Sequence, residues 1–330
     1  MILLKRILIG LLILLIAGAI GGFFYFKNKF MSAPPNRLTL TNLNIPFEFT
    51  WQGGEINGKY EPYLAMYVPV QIPGVNRPFH MQFDVGAHST VLYYNRVLSI
   101  NEKFGEIFKF DTLDNRLYAS DVELKVGSVD LKASAIGFRG KTSDIDWSDS
   151  NAIIKIGTVG SDFMERYPLI MDFKKQEITL AEKIPDNLEK EAEFLPFTFD
   201  GRKIFLSANL NGEPVSLWYD SGSSAFELIV EESTFWELAE PEATRFTFTG
   251  NSWGNAISIH NIESNGEFEF GSVKVPLTFV TYIDWPNKLQ AFIMKAANMG
   301  GDLGGMTGNK LFFKKKLILD APNLRYAVVK

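Results

Sequence analysis

From about residue 38 onward, apolar and polar residues alternate in short runs that are separated by Gly, Asn, Asp and Pro. Alternation with a period of two is typical of β-strands, and the separating residues are those that favour turns. Long amphipathic helical patterns are nearly absent. The pattern therefore predicts an all-β fold for this part of the chain.

Two stretches of this pattern are alike. Residues 80–92 and 216–228 each contain an apolar strand that ends in Asp-x-Gly, followed by small or hydroxyl residues and a second apolar run. Asp and Gly both favour turns, so one copy alone is more typical of an ordinary corner than of a catalytic site. Two copies in equivalent places favour a shared role for Asp84 and Asp220.

Other short motifs also occur twice, and the copies follow the same order along the chain. The pairs are 46–49 and 196–199, Asp84 and Asp220, 127–129 and 271–273, 145–147 and 283–285, and 160–163 and 308–311. Their shared order predicts two homologous, β-barrel-like lobes. A pseudo-two-fold axis between such lobes would bring equivalent loops together at their interface.

The N-terminal segment differs from the rest of the chain. Residues 7–26 carry no charge, and 20 residues of helix are long enough to cross the hydrocarbon core of a bilayer. The small residues 17–19 also resemble a signal-peptide cleavage site, but the apolar run continues beyond them, which favours an uncleaved anchor. Because Lys5 and Arg6 precede the segment, we expect the bulk of the chain on the non-cytoplasmic side, periplasmic or extracellular.

These features divide the chain into three predicted parts. The charged stretch 181–193, which contains Pro185, is typical of a linker between two domains. The predicted parts are a membrane anchor or signal segment at 1–31, a first lobe at 32–185 and a second lobe at 186–330.

Composition excludes several kinds of chemistry. A net charge of -5 without a basic block argues against nucleic acid, which needs clustered Lys and Arg. The absence of Cys excludes disulfides and a thiolate nucleophile, and 3 scattered His are too few for a His-based metal cluster. The spacing of Asp144, Asp146 and Asp149 suits a calcium loop, but the Gly and Glu that such a loop needs are missing. We expect neither a metal nor a cofactor.

The repeated motifs resemble those of the aspartic protease family. Phe83-Asp84-Val85-Gly86-Ala87 is similar to the family's apolar-Asp-Thr/Ser-Gly-Ala/Ser loop, with the Ala that retropepsin-like members carry. Tyr219-Asp220-Ser221-Gly222-Ser223 fits the same loop fully. The segments 159–163 and 306–312 resemble the family's apolar-Gly element, which braces each catalytic loop. The resemblance covers roughly residues 38–330, in the two-lobed, pepsin-like arrangement.

The resemblance implies an endopeptidase with its active cleft between two lobes and a polypeptide substrate. Catalysis would need only a water activated between two carboxyls, because two neighbouring carboxyls hold one proton and supply a base and an acid together. The implied catalytic pair is Asp84 and Asp220. The residues implied to support the loops are Gly86, Ser221, Gly222, Ser223, Gly160 and Gly308, and Tyr118, on a hairpin expected over 104–123, is the candidate for the family's flap tyrosine.

The first motif departs from the family pattern. Val85 stands where a hydroxyl residue normally reaches across to the opposite loop, whereas Ser221 has that hydroxyl. This departure leaves open a non-catalytic alternative, a peptide-binding or structural protein with a degenerate aspartic-protease fold. It also makes the two motifs unequal, because hydroxyl groups surround Asp220 and apolar groups surround Asp84. We therefore expect Asp84 to hold the shared proton and Asp220 to be ionised.

Overall fold

The computed structural model describes Gly18 and residues 33–56, 59–113, 115–140, 142–252, 255–285 and 303–330. Residues Asn36–Lys330 form one compact unit. Apart from Gly18, the predicted anchor at 7–26 lies outside the described residues. Within the described ranges, no helix is long and apolar enough to span a bilayer.

The described chain is mostly β, with 53% of residues in strands and 14% in helices, which confirms the fold class expected from the alternating pattern. The elements up to residue 180 are β1 Leu38–Thr41, β2 Phe47–Glu48, β3 Thr50–Ile56, β4 Lys59–Gln71, β5 Phe79–Phe83, β6 Val91–Tyr93, α1 Tyr94–Phe104, β7 Lys109–Leu113, β8 Arg116–Val126, β9 Val129–Arg139, β10 Lys155–Val159, a 3-10 turn at Ser161–Phe163, β11 Leu169–Asp172 and β12 Glu177–Leu180.

The remaining elements begin with a short helix at the predicted linker. They are α2 Asp186–Glu191, β13 Leu195–Asp200, β14 Lys203–Leu210, β15 Glu213–Tyr219, a 3-10 turn at Ser221–Ser223, β16 Ile229–Val230, α3 Glu232–Leu238, β17 Phe246–Ser252, β18 Asn255–Phe270, β19 Val273–Asp284, β20 Leu303–Thr307, a 3-10 turn at Asn309–Phe312, β21 Lys316–Asp320, a 3-10 turn at Ala321–Asn323 and β22 Arg325–Val329.

Two groups of strands pair in the same way. β5 runs parallel to β10, which is antiparallel to β6, and β6 is parallel to β9. β15 runs parallel to β20, which is antiparallel to β16, and β16 is parallel to β19. In each group a helix, α1 or α3, follows the short strand, and a hairpin, β7–β8 or β17–β18, follows the helix.

The strands form two sheets. The first contains nine of the described strands and is built from residues before β11. The second contains thirteen, and it joins β2, β11 and β12 to the strands that follow α2. The junction is the antiparallel pair β11–β21, in which Leu169 lies opposite Leu319 and Asp172 opposite Lys316. The early and late parts of the chain are therefore held together by backbone hydrogen bonds.

Helix α1 corrects the hairpin that was expected over 104–123. Phe104 is the last residue of the helix, and the hairpin begins only at Lys109. Val97 and Ile100, three residues apart, are fully buried on one face of the helix, which is the helical spacing that the sequence reading overlooked. Gly105, with φ of 90°, ends the helix in a backbone conformation that favours glycine.

Aromatic rings fill much of the core, as the abundance of Phe suggests. Phe312 is fully buried, with its ring centroid 5.8 Å from that of Tyr219 and 5.5 Å from that of Phe270. These contacts connect the 3-10 turn after β20 to the strand that ends directly before Asp220. Packing of the core and placement of the second Asp-x-Gly turn are thus linked.

Replacing Phe312 with Ala should lower the free energy of unfolding by about 3–5 kcal/mol, because the change leaves a cavity among buried rings. Urea denaturation monitored by circular dichroism measures the effect. The matched control is Ile153→Ala at a side chain that is 53% exposed, where a change within about 0.5 kcal/mol is expected. Equal losses in both variants would contradict this account of the core.

Candidate active site

Each Asp-x-Gly aspartate follows a strand directly and is fixed by the parallel strand beside it. The backbone N–H of Asp84 donates to the carbonyl of Val159 at 3.0 Å, and that of Asp220 donates to the carbonyl of Thr307 at 2.9 Å. Both turns therefore begin at the end of a fully paired strand. Their position does not depend on the loop residues alone.

The structure brings the two aspartates together. Their side chains share a hydrogen bond, and each carboxyl packs against the glycine of the opposite turn. A Cβ atom at Gly222 would lie 2.6 Å from Cγ of Asp84, and a Cβ atom at Gly86 would overlap Oδ1 of Asp220. Both glycines are therefore needed because a larger residue would occupy the space of the opposite carboxyl.

Each carboxyl also accepts hydrogen bonds from its own turn. Oδ1 of Asp84 accepts from the backbone N–H groups of Gly86 and Ala87, both at 3.1 Å. Oδ1 of Asp220 accepts from the N–H of Gly222 at 2.8 Å, and its Oδ2 accepts from the hydroxyl of Ser223 at 3.0 Å. The second turn thus supplies one backbone donor and one side-chain donor, whereas the first turn supplies two backbone donors.

Ser221 ties the two turns together from beneath. Its buried hydroxyl accepts the backbone N–H of Val85 at 2.8 Å and donates to the carbonyl of Phe83 at 3.1 Å. Val85 is equally buried but has no polar atom in its side chain to return the interaction. The hydroxyl tie between the turns is one-sided, as the difference between the two motifs indicates.

The apolar-Gly segments lie behind the two turns. Gly160 packs against the backbone of Ser89, and the N–H of Ser161 donates to the carbonyl of Ala87 at 2.8 Å. The buried carboxylate of Asp162 accepts from both the N–H and the hydroxyl of Thr90. This element holds the chain that leaves the first turn.

In the second group, Gly308 packs against the carbonyl of Ser223, and an amide replaces the carboxylate. Nδ2 of Asn309 donates to the carbonyl of Ser221 at 3.1 Å and to the hydroxyl of Ser224 at 2.7 Å. Glu227, also buried, accepts from the N–H and the hydroxyl of Thr278. The two turns are braced at the same places by different chemistry.

Electrostatics distinguishes the two aspartates. The pKa of Asp84 is raised to about 7 by burial first, then by the charge of Asp220 and by the hydrogen bond between the two side chains. The N–H of Ala87 and the charge of Arg139 oppose this rise in pKa. Near neutral pH the Asp84 carboxyl can therefore still hold a proton. Asp84 is also the aspartate for which the difference between the two motifs predicted the shared proton.

Tyr118 lies on β8, opposite Asp111 on β7 and Gly137 on β9. Its ring is partly buried, and a Cβ atom at Gly137 would lie 3.6 Å from it. These contacts show where the ring rests, and a flap role for Tyr118 stays a prediction. Residues 253–254, at the tip of the hairpin β17–β18, lie outside the described residues.

In the part of the chain that the structure describes, no three His, Asp or Glu side chains come together as a metal site would need. Asp144 accepts from the side chain of Asn95, and Asp146 and Asp149 accept from backbone N–H groups within their own loop.

No protein-family model matches the chain, and no curated protein matches its sequence. The interpretation of the site therefore rests on its own geometry.

Sequence reasoning missed the side chains that brace the turns. Asp162 and Asn309 stand in the two motifs that carry the resemblance, and the available signal was a polar residue two positions after Gly160 and one position after Gly308. Arg202 was missed as well, although it reaches the first turn from 114 residues away in the chain. Local sequence around Arg202 contains no signal of that contact.

Replacing Ser221 with Ala should lower the free energy of unfolding by about 1–3 kcal/mol, because the buried N–H of Val85 and carbonyl of Phe83 lose their partner. Chemical denaturation of the purified variant tests this. The control is Ser150→Ala at an exposed serine, for which a change within about 0.5 kcal/mol is expected. A Ser221→Ala protein as stable as the wild type would contradict the buried cross-turn tie.

The raised pKa of Asp84 also predicts how stability depends on pH. Between about pH 4 and pH 7 the folded protein keeps a proton on Asp84 that the unfolded chain releases, so the free energy of unfolding falls as pH rises. Asp84→Asn removes this contribution and should show a smaller fall, whereas the control Asp186→Asn, at a side chain that is 83% exposed, should follow the wild type. Urea unfolding at pH 4 and pH 7.5 measures the difference, and parallel behaviour of Asp84→Asn and wild type would refute the raised pKa.

Proposed function

We propose that this chain is an aspartic-type endopeptidase that hydrolyses peptide bonds with a water molecule activated between Asp84 and Asp220. The observation that carries the proposal is the pair of hydrogen-bonded carboxyls on two glycine-containing turns, tied together by Ser221. Two carboxyls in contact cannot both ionise readily, and a site that holds one proton between them has an acid and a base in place.

The proposal includes an architecture of two homologous, β-barrel-like lobes related by a pseudo-two-fold axis, with the cleft between them. Its support is the repeated order of elements and the matching strand pairings around β5 and β15. The lobes would meet at the pair β11–β21, with the division near residue 186, where α2 begins. A membrane anchor at 7–26 with the lobes on the non-cytoplasmic side belongs to the same proposal.

The chemistry assigns different first steps to the two carboxyls. Asp220, ionised, takes a proton from the bound water as the water oxygen attacks the peptide carbonyl carbon. Asp84 donates its proton to the carbonyl oxygen, so that a neutral diol forms without a covalent bond to the protein. The carbon–nitrogen bond then breaks as the amine receives the proton from Asp220, and a diol hydroxyl returns a proton to Asp84.

The environment of each aspartate supports this assignment. Asp220 accepts hydrogen bonds from the hydroxyl of Ser223 and from the backbone N–H of Gly222. The pKa of Asp84 is raised by burial first and by the charge of Asp220 second, so that Asp84 keeps the proton. Because the two groups interact, measured pKa values belong to the pair.

One observation favours a second candidate, a non-catalytic protein that binds peptides or serves a structural role. Val85 is fully buried at the place where a second hydroxyl tie would complete the support beneath the turns. A site with one tie keeps both carboxyls together in this structure, but catalysis also requires that they stay together when substrate binds. Turnover separates the two candidates.

The test is digestion of an unfolded protein by the purified full-length chain from pH 4 to pH 9, with new N-termini identified by mass spectrometry. We expect cleavage below about pH 7 that falls as pH rises through this value, because the active pair needs the proton on Asp84. Asp84→Asn should lose activity by at least about 100-fold, whereas the surface variant Asp186→Asn should match the wild type.

Cleavage that persists in Asp84→Asn would show a contaminating peptidase. If the folded wild type binds peptides but releases no new N-termini at any pH, the endopeptidase proposal fails and the non-catalytic candidate stands.

A further inference from the structure

Arg202 occupies an unusual place in the chain. It lies in the tight turn between β13 and β14, yet its side chain is only 5% exposed. Gly201, with φ of 55°, and Arg202, with φ of 64°, are the two central residues of this turn, and a tight hairpin of this kind requires a left-handed backbone at both.

The contacts that hold Arg202 all come from the other group of strands. Nη1 donates to the carbonyl of His88 at 3.1 Å, and Nη2 donates to Oε2 of Glu165 at 3.0 Å. The carbonyl of Arg202 accepts the hydroxyl of Ser161 at 2.9 Å. Main chain and side chain of Arg202 are thus both anchored to the segments that surround the first Asp-x-Gly turn.

The contact at His88 lies one residue along the chain from Ala87, whose N–H is a hydrogen-bond donor to Asp84. His88 follows Ala87, whose N–H donates to Oδ1 of Asp84 and whose carbonyl accepts the N–H of Ser161. Arg202 therefore contacts the exit of the first turn, whereas Ser221 contacts Phe83 and Val85 on either side of Asp84 in the sequence. A planar guanidinium suits this task because its fork can bind a carbonyl and a carboxylate at the same time.

The need for such an anchor follows from Val85. In the second turn Ser221 reaches across to the backbone of the first turn, but Val85 cannot reach back. Arg202 supplies a second contact from the second group of strands to the first turn, through the carbonyl of His88.

We propose that Arg202 is a positioning residue for Asp84. Arg202 holds the first turn against the second group of strands and supplements the single hydroxyl tie from Ser221. This inference rests on the proposed peptidase function for its kinetic consequences. Its structural consequence, a first turn that loosens when Arg202 is removed, does not depend on that function.

Several charged groups surround this anchor and bear on any pH profile. Glu165 pairs with Arg202 and also accepts from the side chain of Asn36. Burial raises the pKa of Asp162, and burial lowers that of His88, on which the nearby cations Arg202 and Lys203 act in the same direction. Near Asp84 itself the charges are Asp220 and Arg139.

The experiment compares Arg202→Met, Arg202→Lys and the control Arg325→Met in the full-length protein. Met keeps an unbranched apolar stem without donors, and Lys keeps the charge without the fork. Arg325 is a matched control because it also binds two acidic partners, Glu189 and Asp320, on the sheet that joins the two groups of strands. Two measurements are made on each: peptide cleavage across pH, and hydrogen exchange of the peptide that covers residues 84–90.

For Arg202→Met we expect kcat to fall roughly 10- to 100-fold with little change in KM, because the reacting carboxyl is displaced while the rest of the binding surface is kept. The alkaline limb of the pH–activity profile of Arg202→Met should move to lower pH. A loosened turn admits water to Asp84 and weakens the burial that raises the pKa of this carboxyl. Arg202→Lys should lie between wild type and Arg202→Met. Exchange in 84–90 should be faster in Arg202→Met than in wild type or Arg325→Met.

Wild-type exchange in 84–90 and an unchanged kcat in folded Arg202→Met would overturn the inference. If the wild type cleaves nothing but the exchange difference is seen, the inference holds and the proposed function fails. If Arg202→Met does not fold, Glu165→Gln, which keeps an acceptor but removes the charge of the partner, serves instead. It should shift the same two measurements in the same direction, and wild-type values for both would refute the role of Arg202.

Discussion

The rest of the structure depends on keeping two carboxyl groups in contact. Two ionised carboxylates at that distance repel each other, and burial adds a further cost to their charge. The pair is stable when one group keeps its proton, and the raised pKa of Asp84 expresses this constraint. The strands and glycines around the two turns bring the carboxyls together, and side chains such as Ser221 bind polar groups of the turns.

Backbone pairing brings the carboxyls together over long distances in the chain. The parallel strands β10 and β20 fix where each Asp-x-Gly turn begins, and the pair β11–β21 connects the two groups of strands. Glycine at 86 and 222 leaves the room that the opposite carboxyl occupies. Within this frame only a few side chains need to be specific. Ser221 and Arg202 supply ties across the two groups, and Asp162 and Asn309 supply braces within them.

How much of this could be predicted from the sequence depends on the range of each interaction. The β character was predictable because alternation is a local pattern, and the approach of Asp84 to Asp220 was suggested by motifs that recur in order. Helix α1 was missed because its few buried positions are embedded between strand-like runs. The contact of Arg202 with His88 was not predictable, since it depends on how two turns 114 residues apart are placed by the sheets. The spacing of buried residues in a helix is contained in one segment of the sequence. A contact between two distant segments can be identified only once the fold is known.

The central claim is that Asp84 and Asp220 share one proton and that Asp84 carries it. The most direct measurement is a carbon-13 NMR titration of the two carboxyl carbons in the full-length protein, assigned with Asp84→Asn and Asp220→Asn. The account predicts that the Asp84 signal titrates near pH 7 and moves to lower pH in Asp220→Asn, where the neighbouring charge is gone. An Asp84 signal that titrates at the ordinary value of an aspartate and is insensitive to Asp220→Asn would contradict it.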